Sequence, residues 1–420
     1  MSQSRSDRVT IIGGGIIGIA CAHYLQQDGY KVTVIDKGPV GAGCSLRNCG
    51  HILPSHVLPL NSFAALRQGM VSMLNPRAPF KIKPTLSPRV LNWFWHFALS
   101  SRSASVHKSA AALQGLLDSS FDEFQALSGE VMNGSDWRQN GLLYAFKNQR
   151  DLDQFAKTED IVAKRFGISA DEKDQAALTA MDPSLAPDLA GGFLYTQDAQ
   201  VLPEALMENW VNYLKSQGVA FREQCSLVSI DQGEGAISAL QTTTGEIPTD
   251  HVVLAAGALS AELAKIFGKS LPVLPGKGYS VTLNNPAVQP LHSIVLPECH
   301  IAITPFENAM RIGSMMEFVG YDSQIPAFRL KQLTQNIAPY FSAPLAAEIV
   351  QPWFGWRPMT WDSLPIIGRL KPLKNVLVAT GHNMIGLMAA PATGKLIAEL
   401  LGERAPHLAA EAYSPNRFNA

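Results

Sequence analysis

Residues 9–36 read VTIIGGGIIGIACAHYLQQDGYKVTVID, and this stretch decides the fold. A β-branched run at 9–12 leads into Gly13, Gly15 and Gly18 in G-x-G-x-x-G register. Ile16, Ile17, Ala20, Tyr24 and Leu25 then recur at three- and four-residue spacing, which predicts a helix. After Gly29 a second β-branched run, 32–35, ends on Asp36. A glycine-rich turn alone says little; strand, glycines, helix, strand and acid in that order predict a βαβ unit that binds a dinucleotide. Gly13 permits the tight turn, Gly15 lets backbone N–H groups approach a pyrophosphate, and Gly18 lets helix and strand pack closely. The helix N-terminus favours phosphate charge, and Asp36 is placed to accept hydrogen bonds from the ribose. The motif does not choose between NAD and FAD.

Working outward, 420 residues are too many for one small domain, so two lobes are expected, woven together rather than consecutive. With 46% hydrophobic residues, 16% charged and a net charge of -1, the chain reads as globular with a large core, and the charge argues against nucleic acid as a partner. Five scattered cysteines with no CxxC pair point away from a disulfide framework or a metal site and toward a reducing cytoplasm. Arg5 and Arg8 before an apolar run imitate a signal peptide, but the glycine fingerprint and the short hydrophobic length argue against secretion and against spanning.

After Asp36 comes KGPVGAGCSLRNCGHILPS, residues 37–55, where Gly41, Gly43 and Gly50 exclude a regular element and Ser45, Arg47 and Asn48 supply polar groups. It reads as a second loop wrapping the ligand. The pattern Gly41-Ala42-Gly43, Ser45, Asn48-Cys49-Gly50 after a first βαβ resembles the D-amino acid dehydrogenase, glycine oxidase and sarcosine oxidase group of FAD enzymes. Later signatures appear in that group's order: GGFLYTQDAQVLPEAL at 191–206, VVLAAGALS at 252–260, PGKGYS at 275–280, FGWRPMTWDSLPIIG at 354–368 and VLVATGHNMIGLMAAPATG at 376–394. The likeness covers nearly the whole chain and is strongest to the bacterial D-amino acid dehydrogenase small subunit, which also carries the IKPT of residues 82–85.

The resemblance implies an α/β fold: a doubly wound, Rossmann-type, glutathione-reductase-like FAD-binding lobe with an inserted α+β substrate lobe containing an antiparallel sheet. The FAD-binding domain would comprise residues 1–85, 195–262 and 352–420, and the substrate domain 86–194 and 263–351. Within the first, strands are expected at 219–230 and, as part of a hairpin-like extension, at 237–242 and 252–256. FAD contacts are expected at Gly13, Gly15, Ile16, Ile17, Gly18, Asp36 and Lys37, then at Ser45 and Asn48 of the second loop. Val228 matches the position where the family pairs backbone with adenine, and Ala256 and Gly257 close a strand on the cofactor side of the sheet. In the loop 380–386, Gly381 and Gly386 let backbone approach the isoalloxazine, while His382, Asn383 and Met384 stand beside it. Glycine oxidase-like members carry an arginine where this chain has Met384, so a second carboxylate clamp is missing and glycine is a less convincing substrate. No cysteine matches the one that tethers FAD in sarcosine oxidase-like relatives, so FAD is expected to be non-covalent.

Oxidation of an amine α to a carboxylate needs the substrate held with its Cα–H toward the flavin and its amine neutral. Arg357 is the leading carboxylate clamp, since guanidinium binds carboxylate bidentately and the G-x-R-P context resembles the family's site; its bland reading is a structural bridge between lobes. Arg311 would add positive charge, or face solvent. Tyr279 would hydrogen-bond the carboxylate or line the pocket, with Lys277 a weaker candidate. His51 and His300 would face the flavin or the pocket, though a lone histidine is more often an ordinary hydrogen-bonded residue. The aromatic run 92–97 reads as a membrane-interface contact at the inner face of the membrane or, preferably, as a core helix.

The function expected is FAD-dependent oxidation of a D-amino acid to a 2-oxo acid, with oxygen, a quinone or a partner subunit as electron acceptor. A cyclic or N-methylated amino acid of hydroxyproline, proline or sarcosine type is the alternative within the fold. A flavin domain that modifies a tRNA side chain is a rival that the near-zero charge disfavours.

Overall fold

The computed structural model describes residues 6–60 and 78–418. The first element is β1 (Arg8–Ile12), followed by α1 (Ile16–Gln27) and β2 (Lys31–Ile35), as the glycine pattern requires. They sit in a six-stranded sheet ordered Ile366–Arg369, Val376–Thr380, His251–Leu254, β1, β2, Ala220–Arg222, parallel except for the first edge strand. Both faces of this sheet are covered, which is why its central strands carry runs of consecutive apolar residues rather than an alternating pattern. Val9, Ile11, Val253 and Leu377 point to a core shared with α1, Ala390–Leu401, Ser103–Ala126 and Pro203–Ser216, whereas Ile12, Val252, Leu254 and Val376 point to one shared with a three-stranded meander.

A ten-stranded sheet forms the second half of the molecule. Its backbone is Leu274–Asn284, Ala309–Phe318, Ile301–Phe306 and Ser293–Leu296, all antiparallel, continuing through Leu142–Phe146, Gly191–Tyr195 and Asp171–Asp174. Two pairings within it are parallel, Ser293–Leu296 with Leu142–Phe146 and Phe80–Ile82 with Ala309–Phe318.

Several expectations need correction. The strand foreseen at 219–230 is two: Ala220–Arg222 joins the parallel sheet and Leu227–Gly233 the meander, with Gln224 at φ +52 breaking the extended run between them. Likewise Ala236–Thr242 pairs with Gly245–Pro248, not with His251–Leu254, which belongs to the parallel sheet. By strand pairing we place the last exit from the large sheet after Met359 rather than at residue 352, because Trp353–Met359 pairs with Leu274–Asn284. Entry is at Phe80, before residue 86. The helix Ser103–Ala126, assigned to the substrate lobe, buries Leu113, Leu116, Leu117 and Phe124 in the nucleotide-side core.

Candidate active site

At the nucleotide end, α1 follows Gly15, which brings no capping side chain of its own, so the first-turn N–H groups beyond that of Ile16 are offered outward. Gly13 is at φ +112, and a Cβ there would stand 2.5 Å from the Ala255 carbonyl oxygen; one on Gly18 would stand 1.9 Å from that of Gly13. The turn accepts only glycine at both positions. Asp36 takes the Gly14 N–H at 2.8 Å and the Gly38 N–H at 2.9 Å, which leaves carboxylate lone pairs for ribose hydroxyls. Ser45 Oγ accepts the Ile16 N–H at 3.1 Å and retains its own proton for a phosphate oxygen. The Lys37 side chain is exposed beside this turn, and Ile16 and Ile17 pack beneath it. Val228 lies in a bulge: the ladder slips between Leu227 and Ser229, leaving its backbone outside the pairing. Gly257, at φ +54 after Ala256, has its carbonyl held by Thr380 Oγ1 at 2.8 Å. These features fit a dinucleotide: a glycine turn packed too closely on neighbouring backbone for a Cβ at Gly13 or Gly18, a helix start whose N-cap residue has no side chain, and a bulged strand with unpaired backbone.

The other wall is one face of the large sheet. Strand alternation puts Gly276, Gly278, Ser280 and Thr282 on this face and Lys277, Tyr279, Val281 and Leu283 on the other. Arg357 stands opposite Gly276 and reclines over Gly278, whose added Cβ would meet its Nη1 at 1.9 Å. The guanidinium donates to the Met315 carbonyl at 2.9 Å. Met315 and Met316 together oppose Gly278 in a β-bulge, and Met315 is at φ +74, a strained conformation for a residue with a Cβ. The loop 41–50 covers this face: Ser280 Oγ donates to the Arg47 carbonyl at 2.9 Å, Cys44 packs on Gly355 and Cys49 on Gly313. Burial lowers the Arg357 pKa, partly offset by the neighbouring Cys44 and Cys49. Among the described residues no carboxylate pairs with Arg357.

The other expected chemistry is distributed differently. Tyr279 is on the far face, where its hydroxyl donates to Glu317 Oε2 at 2.7 Å and Glu317 pairs with Arg329 at 2.6 Å. Lys277 shares that face and pairs with Asp322 at 3.1 Å. Arg311 is neither solvent-facing nor spare: it is 2% exposed, binds Glu204 through both terminal nitrogens, and also holds the Asn48 carbonyl at 3.1 Å and Thr282 Oγ1 at 3.2 Å. It fastens the loop to the sheet. His51 is buried, hydrogen-bonded to Thr304 Oγ1 at 3.0 Å, and burial pushes its pKa down to about 4. His300 is exposed at a hairpin tip, φ +55, and its carbonyl accepts from Ser314 at 2.7 Å.

The amides of the two loops are spent on their own architecture. Asn48 donates to the Ser45 carbonyl and accepts from the Gly50 N–H, both at 2.7 Å. Asn383 accepts the Thr360 N–H at 2.9 Å and donates to the Gly381 carbonyl at 3.0 Å, while its own N–H reaches the Pro358 carbonyl at 3.0 Å. His382 Nε2 meets Thr393 Oγ1 at 3.0 Å, and burial pushes its pKa down to about 3. Thr393 donates to the Ala389 carbonyl, so His382 is the donor in their contact and carries its proton on Nε2. Met384 is 40% exposed, and Gly381, at φ +74, packs against Thr360. Sequence reasoning missed Met315, whose role depends on a bulge, and the clearance at Gly278, which its place two residues before Ser280 on an alternating strand would have signalled.

A βαβ nucleotide turn joined through the loop 41–50 to a sheet on which Arg357 has no carboxylate partner among the described residues fits a two-lobed, dinucleotide-dependent oxidoreductase. The chain belongs to the FAD-dependent oxidoreductase family, whose model matches residues 8–400. It is 29% identical to a D-amino acid dehydrogenase of Methylobacterium nodulans, over 98% of this chain and 99% of that one. It is 28% identical to a D-amino acid dehydrogenase of Agrobacterium fabrum, over 98% and 100%. The fold superposes on glycine oxidase from Geobacillus kaustophilus with a TM-score of 0.79 at 24% identity, covering 98% of this chain and 99% of that one.

Proposed function

We propose that this enzyme oxidises an α-amino acid, preferentially the D isomer, to an imine that water hydrolyses to a 2-oxo acid. The carrying observation is Arg357. Arg311 on this sheet, and Lys277 and Arg329 on its far side, are matched to Glu204, Asp322 and Glu317, whereas among the described residues Arg357 has only the Met315 carbonyl. A partly buried guanidinium without a counterion is costly, and a substrate carboxylate supplies one in bidentate geometry. Preference for the D isomer is supported by the names of the curated relatives.

FAD supplies the two-electron acceptor when bound. The chain's own part is placement: Arg357 fixes the carboxylate, Met315 fixes Arg357, and Gly278 leaves room for both. His51 and His382, with lowered pKa values, are neutral at physiological pH and bring no positive charge of their own. We further propose that FAD is held without a covalent bond, since Trp353–Met359 carries no cysteine and burial raises the Cys44 and Cys49 pKa values, keeping both thiols protonated. Acid precipitation should therefore leave the flavin in the supernatant; a yellow pellet contradicts this. The decisive experiment is steady-state kinetics on Arg357→Leu with flavin retained. A loss of kcat/KM of roughly a hundredfold, carried mainly by KM, is expected for removal of a charge-assisted bidentate contact. An unchanged KM removes Arg357 from the site.

A further inference from the structure

Tyr24, Gln27 and Asp28 at the end of α1 stand at i, i+3 and i+4, and Lys395, Ala398 and Glu399 repeat that spacing on the helix Ala390–Leu401. Such spacing puts each set on one helix face. These two faces, with Glu123 of Ser103–Ala126 and the chain at Arg404 and Ala405, line a cleft of about 370 Å³, within the range of small-ligand sites. The cleft lies roughly 15 Å along α1 from the nucleotide turn and shares no residue with that turn or with the Arg357 face.

Ion pairs brace its walls. Glu123 Oε1 accepts from Lys395 Nζ at 2.6 Å and Glu123 Oε2 from the Tyr24 hydroxyl at 2.7 Å, while Arg404 holds Asp28 through both terminal nitrogens. Glu399 Oε2 accepts the His407 N–H at 2.9 Å and meets its Nδ1 at 2.7 Å. Part of the capacity of these groups is unspent. Lys395 turns to Glu123 rather than to Glu399 one turn further on, which leaves it two N–H donors, and neither Glu399 Oε1 nor Gln27 Oε1 accepts a hydrogen bond among the described residues. The Asp28, Glu123 and Glu399 side chains are only 19%, 20% and 11% exposed, so bulk water serves them poorly. Three carboxylates face two cations, Lys395 and Arg404, and this surplus of negative charge disfavours a net anion such as phosphate. A molecule with one carboxylate and one ammonium matches both the spare donors and the spare acceptors.

We propose that this cleft binds a small zwitterion of the α-amino acid type away from the flavin, with its carboxylate on Lys395 and Arg404 and its ammonium on Glu399 and Gln27. The test is isothermal titration calorimetry of L-alanine into the holoenzyme, wild type and Arg357→Leu, the second lacking the guanidinium of the flavin-side site. Propionate and ethylamine, each with one of the two charged groups, are titrated in parallel. L-alanine should bind the Arg357→Leu holoenzyme at one site per chain, and each half-molecule should bind roughly tenfold more weakly or worse, as loss of a charge-assisted contact requires. Lys395→Met should weaken L-alanine by a similar factor with flavin content unchanged. Ala405→Trp, which blocks the mouth of the cleft and removes no ion pair, should do the same, and it carries the test if Lys395→Met fails to fold. Absence of L-alanine binding to the Arg357→Leu holoenzyme overturns the proposal, as does binding that Ala405→Trp leaves unchanged. Ethylamine binding as tightly as L-alanine overturns it in favour of a cation site.

Discussion

A single carbon added at Gly278 would stand 1.9 Å from Arg357 Nη1 and 2.4 Å from its Cζ. Gly278→Ala should therefore displace the guanidinium rather than unfold the strand. We expect KM to rise at least tenfold while flavin content stays within error; equal KM values would mean that Arg357 has another resting place. Arg357 was legible from its G-x-R-P context, because the motif surrounds the residue. Tyr279 and Arg311 were not. Which face Tyr279 presents depends on strand register, where one position reverses every side chain, and the partner that occupies Arg311, Glu204, is 107 residues away in sequence.

The βαβ element was read almost to the residue because every determinant lies within 9–36: the glycines, the periodicity and the terminal acid are local. Its tolerance is correspondingly low. Gly18→Ala puts a Cβ 1.9 Å from the Gly13 carbonyl and forces α1 away from β1. The protein should purify without yellow colour, its FAD affinity lowered a hundredfold or more by titration with fluorescence readout, and a holoprotein of normal affinity would show that helix and strand can separate harmlessly. Elsewhere the elements were misjoined where a single residue turns the chain. Gln224 splits a β-rich run between two sheets, and its positive φ has no signature in glutamine. The bulge at Met315 is equally silent, since it is fixed by pairing with a strand whose register was unknown.

Across the whole molecule, two sheets were foreseen but not the points of crossing between them, because pairing of Phe80–Ile82 or Trp353–Met359 with the large sheet is a long-range choice. One global property follows from a carboxyl buried where those halves meet the loop after His51. Asp198 is 0% exposed and accepts the Ser55 N–H at 3.2 Å and Oγ–H at 2.5 Å. Burial raises its pKa from 3.8 to about 7. The folded state then holds a proton that the unfolded chain has released, so stability is full below pH 3.8 and falls as pH rises through about 7. The loss is on the order of 4 kcal/mol. Asp198→Asn, which can keep both contacts with Ser55, should flatten the fall in Tm between pH 5 and 8; a slope unchanged from wild type would place the titration elsewhere.

The clasp that Asn383 makes with Pro358 and Thr360 joins the loop 381–386 to the strand end next to Arg357. The loop and Arg357 thus share one stretch of backbone, and under the proposed function binding at the cofactor site and at the substrate site should be thermodynamically linked. By reciprocity the coupling is equal in both directions: a carboxylate ligand would tighten the binding of FAD by the same factor as FAD tightens the hold on the carboxylate.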